Sequence, residues 1–120
     1  MEWAFRSDQP IYAQMSRHLS AAIGTGYYSP GQRLPSVRDI AMDAGVNPNT
    51  VQRALAELER DGLVFSQRTS GRFVTEDPEK IRSVRETMAK EVIDEFLKAM
   101  KKLGIDRKET IAFLEKEEDE

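Results

Sequence analysis

The chain has 120 residues and a formal net charge of −3, which fits one ordinary domain or a small domain with an appendage and leaves little room for a large substrate cavity. It holds no cysteine, so disulfides, thiolate metal sites and sulfur redox chemistry are excluded and a reducing cytoplasm is the expected compartment. No stretch approaches the roughly 20 consecutive apolar residues of a membrane span, and the start Met1-Glu2-Trp3-Ala4-Phe5-Arg6 lacks the basic-then-apolar layout of a signal peptide.

The charge is unevenly divided. Residues 1–75 hold 8 arginines, no lysine and 7 acids, a balance of +1, whereas residues 76–120 hold 10 basic and 14 acidic residues, a balance of −4. The front part is the candidate for a polyanionic partner, because the planar fork of arginine suits bidentate contact with phosphate and guanine. Two regions are expected, 1–75 and 76–120.

In chain order, Pro10 opens a helix whose apolar residues Ile11, Met15, Leu19, Ala22 and Ile23 recur at amphipathic spacing. Glycines in Ile23-Gly24-Thr25-Gly26 end it, Ser29-Pro30-Gly31 makes a turn, and Gln32-Arg33-Leu34 is expected as a short strand. Pro35 then blocks an earlier helix start. Ser36 and Asp39 form a capping box for a second helix of about nine residues, with Val37, Ile40 and Ala41 inward and Gly45 as its left-handed stop. Asn47-Pro48 caps a third helix that runs toward Gly62 with Val51, Ala54, Leu55 and Leu58 as its core stripe. Two helices about three residues apart make a helix-turn-helix.

After Gly62, Leu63 to Arg68 and Arg72 to Thr75 are β-prone runs joined through Thr69-Ser70-Gly71, a hairpin in the position of a wing, with Phe65 and Phe73 expected on its core side. From Pro78 the composition turns to charge-rich helix. Ile81, Val84, Met88, Val92, Phe96, Met100 and Leu103 span 22 residues in six steps, 3.67 per step against about 3.5 for a heptad seam, so a nearly straight helix packed on neighbours is expected rather than a long coiled coil. Gly104 ends it. Asp106 and Glu109 cap a closing helix carrying Ile111, Phe113 and Leu114, and Glu115 to Glu120 reads as a frayed acidic tail. The fold class is therefore mainly α with a small β-hairpin: a winged helix-turn-helix followed by a short helical region.

A recognition helix reads base edges in the major groove from its N-terminal residues. Asn47, Asn49, Thr50, Gln52 and Arg53 stand at that end, with side chains suited to adenine, guanine or phosphate, and small Ala56 leaves room for close approach. Arg38 lies at the positive end of the second helix, where phosphate is favoured; an ion pair with Asp39 or Asp43 is the alternative. Arg68 and Arg72 bracket the Thr69-Ser70-Gly71 tip, which would let backbone N–H groups approach a phosphate or the minor groove; an ordinary exposed hairpin is the alternative.

An enzyme is disfavoured. His18 is the one histidine and falls on the polar side of the first helix, and Gly24-Thr25-Gly26 follows a helix and lacks a third glycine, so neither catalysis nor a dinucleotide site is expected. No cofactor and no metal are expected. A protein-interaction module would want an apolar outer face on the third helix, and a single-strand or RNA binder would want exposed aromatics.

Pro10-Ile11-Tyr12, then Ser29-Pro30-Gly31-Gln32-Arg33-Leu34-Pro35-Ser36-Val37-Arg38, then Gly45-Val46-Asn47-Pro48-Asn49-Thr50-Val51-Gln52-Arg53-Ala54-Leu55 resemble, as an ordered set, the GntR family of bacterial winged-helix repressors. The resemblance covers residues 10 to 75, and the short C-terminal part is similar to the YtrA-like branch. It implies contact with double-stranded operator DNA at Arg38, at the head of the third helix and at the wing tip, a tail of two helices serving dimerisation, and repression at a promoter. Pro48 stands where better-studied branches put a base-reading arginine, and Thr69 where a wing glycine is common. The expected assembly is a homodimer on a two-fold symmetric operator, paired through Ile81, Val84, Met88, Val92, Phe96, Met100, Leu103, Ile111 and Leu114 on helices that pack with the partner and with the DNA-binding domains, with Trp3 and Phe5 adding to the contact. A small-molecule effector would have to sit at the dimer or domain interface. A winged-helix protein-interaction module without specific DNA binding is the alternative function.

Overall fold

A computed structural model describes residues 1–117. Pro10, with φ −57°, is the cap residue just outside the first helix, α1 (Ile11–Gly24), its ring pre-setting the helical φ without needing a hydrogen-bonded N–H. Met15, Leu19, Ala22 and Ile23 line the buried face. Buried Gln14 holds the preceding arm: its Nε2 donates to the carbonyls of Arg6 (2.7 Å) and Gln9 (3.0 Å), and its Oε1 accepts from the Arg6 amide at 2.6 Å. A buried amide needs its partners, and here the arm supplies them.

The second helix, α2 (Val37–Ala44), starts at Ser36, whose Oγ accepts from the Asp39 amide at 3.1 Å, and stops at Gly45, which takes φ 70°. Only glycine adopts that conformation without strain, and it lets the Gly45 and Val46 amides both bond the Ala41 carbonyl. The third helix, α3 (Pro48–Arg60), follows at once. Its stripe of Val51, Ala54, Leu55 and Leu58 is 0–1% exposed and packs chiefly on α1. Each large apolar side chain so buried contributes about 1.5–3 kcal/mol.

Strands β1 (Val64–Gln67) and β2 (Gly71–Val74) pair antiparallel with Val64 opposite Val74, Phe65 opposite Phe73, Ser66 opposite Arg72 and Gln67 opposite Gly71. The expected short strand is present as a single bridge between Arg33 and Phe73, flanked by Leu34 N to Arg72 O and Val74 N to Gln32 O. Helix α4 (Pro78–Lys102) and helix α5 (Arg107–Lys116) complete the described chain. Helices α2 and α3 are thus a helix-turn-helix and the hairpin its wing. No helix among the described residues is long and apolar enough to cross a membrane.

The chain divides into two compact units after Arg85, ten residues beyond the composition change at Thr75. The reason is packing: Ile81 and Val84, on the first turns of α4, lie against the first unit's core, and Val84 Cγ1 approaches Gly24. These two residues of the stripe, expected to meet both the partner and the head, lie against the head. Trp3 and Phe5, also expected in the pairing contact, likewise pack on the head's own core. Their rings are 5.9 Å apart, each meets the His18 ring edge-on at 5.4 Å, and Trp3 Nε1 donates to Asp43 Oδ2 at 2.7 Å. His18 is therefore a half-buried member of an aromatic cluster rather than a free surface histidine.

In the second unit, from Glu86 onward, Asp106 Oδ1 accepts from the Glu109 amide at 2.8 Å and starts α5 as its cap. Thr110, 1% exposed, donates its Oγ1–H to the Asp106 carbonyl and fills the turn between the helices. No apolar side chain described in this unit is buried: Val92, Ile93 and Phe96 on α4 and Ile111, Phe113 and Leu114 on α5 are all exposed. Of the acidic tail, Glu115 and Lys116 still belong to α5, and residues 118–120 lie outside the described residues.

Candidate DNA-binding surface

The turn between α2 and α3 is short enough that one residue both closes it and begins the next helix. Asn47 Oδ1 accepts from the Asn49 amide at 2.8 Å, and Pro48 takes the first helical position. The cap uses the carbonyl end of the Asn47 side chain, so its amide nitrogen is the end left for a ligand. Asn49, Gln52, Arg53 and Ala56 are exposed and Thr50 half-buried, on the side of α3 away from its core stripe. Arg53 does not swing freely: its guanidinium carbon sits 3.5 Å over the ring centroid of Tyr12 on α1. An exposed cation over the ring of half-buried Tyr12 gains about 0.5–1 kcal/mol and loses rotamer freedom before any ligand arrives.

Arg38, exposed on the first turn of α2, makes no ion pair with any described residue. The alternative partner Asp43 is occupied, holding the Trp3 indole and lying 4.0 Å from the chain's ammonium terminus. Arg38 thus presents an uncompensated charge beside the N–H end of a helix, the arrangement that favours an anion.

In the wing, Arg68, Thr69 and Ser70 are exposed at the tip. Gly71, at φ 103°, turns the chain back. Arg72 is engaged instead: its Nε donates to Glu59 Oε1 at 2.6 Å, and Ser66 Oγ donates to the same oxygen at 2.6 Å. Strand alternation explains this, because Ser66 and Arg72 are paired on the face that Val64 and Val74 turn toward α3, where Glu59 stands. The same alternation corrects the expectation for the aromatics. With Val64 and Val74 taking the core side, Phe65 (42% exposed) and half-buried Phe73 fall on the opposite face, stacked at 5.8 Å.

Glu59 is the hinge of this arrangement. Hydrogen bonds from Ser66 and then Arg72 hold its carboxyl below the usual glutamate range. A depressed folded-state pKa adds stability above the unfolded value, and that stability is lost as pH falls through the folded value. The destabilisation caused by Glu59→Gln is therefore expected to be larger in urea unfolding at pH 7 than near pH 3 (on the order of one unit below the ordinary glutamate value). A difference that stays constant with pH would remove the carboxylate from this role.

Comparison with known proteins meets this geometry at the same residues. The model of the bacterial regulatory proteins of the gntR family matches residues 11–74, from the start of α1 to the end of the wing. The chain belongs to the GntR family. Among curated proteins, the HTH-type transcriptional regulator YhcF of Bacillus subtilis is 37% identical over 92% of this chain and 92% of its own length. The HTH-type transcriptional repressor YtrA of the same organism is 35% identical over 74% and 73%. Among solved structures, a GntR family transcriptional regulator from Listeria monocytogenes superposes with a TM-score of 0.84 at 38% identity, covering 95% of this chain and all of that one. The DNA-binding domain of AraR in complex with an operator matches over 62% of this chain and 88% of that one, with a TM-score of 0.54 and 29% identity. This GntR-family chain is accordingly a DNA-binding transcription regulator.

The structure gathers Asn47, Asn49, Gln52 and Arg53 at one helix end and keeps Arg38, Arg68, Thr69 and Ser70 exposed, while it ties Arg72 down. Three residues of this surface escaped the sequence. Tyr12 carried the family string but gave no sign of facing Arg53; the Glu59 pairing required the hairpin's register; and Arg33, read as a strand residue, emerges beside the wing tip. For Glu59 a signal existed, since an acid in the last turn of a helix that abuts an arginine-bearing strand is a natural partner.

Proposed function

We propose that this regulator is a repressor that acts as a homodimer on a two-fold symmetric operator, with Asn47, Asn49, Thr50, Gln52 and Arg53 reading bases and Arg38, Arg68, Thr69, Ser70 and Gly71 contacting the backbone or minor groove. The observation that carries the reading is the exposed, wholly uncharged or cationic head of α3, set opposite a stripe that is 0–1% exposed. An interaction module would want apolar residues there. Repression is supported by YtrA, a relative named as a transcriptional repressor. Pairing is supported by the second unit, in which Val92, Ile93, Phe96, Leu103, Ile111, Phe113 and Leu114 are exposed and no apolar side chain among the described residues is fully buried; a second copy offers the same face, as a two-fold contact requires. The proposed seam runs through Met88, Val92, Phe96, Met100, Leu103, Ile111 and Leu114, beginning only after the two residues taken by the head. Arg72 serves as a strut for the wing through Glu59.

Selection of duplexes from a random pool by the full chain should yield two-fold symmetric sites with half-sites about 10 base pairs apart, or a multiple of that. On such a site, Arg38→Ala should weaken all duplexes alike and lower the salt slope by about one phosphate contact, whereas Arg53→Ala should cost on the order of 1–3 kcal/mol and relax sequence choice. Selected sites without symmetry would overturn the dimeric reading, and an unchanged Arg53→Ala profile would overturn the docking of α3.

A further inference from the structure

The wing tip has a second cation that the hairpin itself does not encode. The segment Gly31 to Leu34 is fixed against β2 by Gly31 N to Val74 O (3.0 Å), Leu34 N to Arg72 O (2.8 Å) and Val74 N to Gln32 O (2.9 Å). This places Arg33 across from Phe73 as an isolated bridge pair, with its side chain on the Phe73 and Gly71 side of the strand. The guanidinium then extends along the wing: a Cβ on Gly71 would lie 3.1 Å from Arg33 Nε and 3.5 Å from its Nη2. Gly71 therefore has two roles, turning the chain at φ 103° and leaving the space that Arg33 occupies. Arg33 is exposed and forms no ion pair with any described residue, in contrast to Arg72, whose charge is met by Glu59 at 2.6 Å. A carboxylate partner would be the ordinary fate of an arginine held in a fixed pose, and none among the described residues is there.

We infer that Arg33 is a DNA-backbone contact of the wing, taking, together with Arg68, the place that the sequence offered to Arg72. The assignment rests on the DNA-binding reading above. Its chemistry is a guanidinium pre-positioned by the β-bridge and by contact with a glycine, so that little conformational freedom is lost when a phosphate oxygen is met. Because it stands on the wing and not on α3, it would add affinity without choosing sequence.

The test compares Arg33→Ala, Arg33→Lys, Arg72→Ala and Arg38→Ala in the full chain, titrated with a selected site and an unrelated duplex at about 50 and 200 mM salt. Arg33→Ala should lose about 5- to 10-fold in affinity for both duplexes at the lower salt, and the deficit should shrink about 3.5-fold at the higher, as expected for one lost phosphate contact with a slope near 0.9. Arg33→Lys should keep the wild-type salt slope. Arg72→Ala should lower the melting temperature, with a smaller change in slope than Arg33→Ala. An Arg33→Ala protein that binds like wild type, or binds more weakly with an unchanged salt slope, would overturn the assignment. Arg38→Ala separates the two levels: if it loses affinity and slope while Arg33→Ala does not, the DNA-binding reading stands and the Arg33 contact falls, and if neither variant changes binding, both fall.

Discussion

Leu55→Ala is expected to lower the stability of the first unit by about 2–5 kcal/mol. Leu55 is 0% exposed at the middle of α3, where that helix packs on α1 through Met15, Leu19 and Ile23, all of them 0–1% exposed. The cost has two parts, the lost transfer of three carbons from water and the cavity that rigid neighbours on two crossing helices leave unfilled. A domain of this size has only about 5–15 kcal/mol in hand, so the variant should show a marked fall in denaturation midpoint with an unchanged slope. Operator affinity measured at moderate temperature should fall with it, because α3 is both core element and the proposed reading head. A loss below about 1 kcal/mol would mean that α3 can shift on α1, and the rigid presentation of Asn49 to Arg53 would have to be abandoned.

On the proposed homodimer, Phe96→Asp should convert the protein to a monomer and weaken operator binding by on the order of 10²- to 10⁴-fold, since a second half-site bound through the same dimer is an intramolecular event whose advantage disappears on separation. Phe96 is 40% exposed in a unit that buries none of its apolar side chains among the described residues, so a charge there costs the isolated chain little and would be strongly opposed in a paired seam. Sedimentation across a range of concentrations, together with a melting curve for the first unit, reads the two effects separately. A wild-type chain that stays monomeric at every concentration, or a Phe96→Asp protein that still sediments as a dimer, would place the contact elsewhere.

The local elements were legible because their causes are local. Ser36, Asn47 and Asp106 announce helix starts, and in each case the side-chain oxygen accepts the amide two or three residues on. Gly45 announces a stop, and the 3.6-residue spacing of Met15, Leu19 and Ile23 or of Val51, Leu55 and Leu58 names the buried stripes. The exposed head of α3, the proposed reading surface, was legible for the same reason, since the residues opposite a known stripe on a helix must face outward.

What the sequence leaves open is which face of an element meets which neighbour. Strand alternation names two faces without saying which is inward; hydrophobicity alone points Phe65 and Phe73 inward, whereas the smaller Val64 and Val74 take the core beneath α3, 0–2% exposed. The same ambiguity hid Arg72, whose partner Glu59 lies 13 residues away on another element. Trp3 and Phe5 close over His18, and Asp43, the alternative partner for Arg38, is taken by the Trp3 indole, contacts between elements that no local pattern announces.

The sequence by itself determined the helices, the helix-turn-helix, the wing and the residues at the head of α3, because capping, periodicity and glycine conformation act within a few residues of one another. Only the tertiary structure decided which of the basic side chains remain uncompensated. It leaves Arg33, Arg38 and Arg68 exposed without a described carboxylate, sets Arg53 on Tyr12 and ties Arg72 to Glu59. The physical reason is that the availability of a charge depends on which opposite charge or ring lies within a few ångströms of it, and that is fixed by packing between elements far apart in the chain.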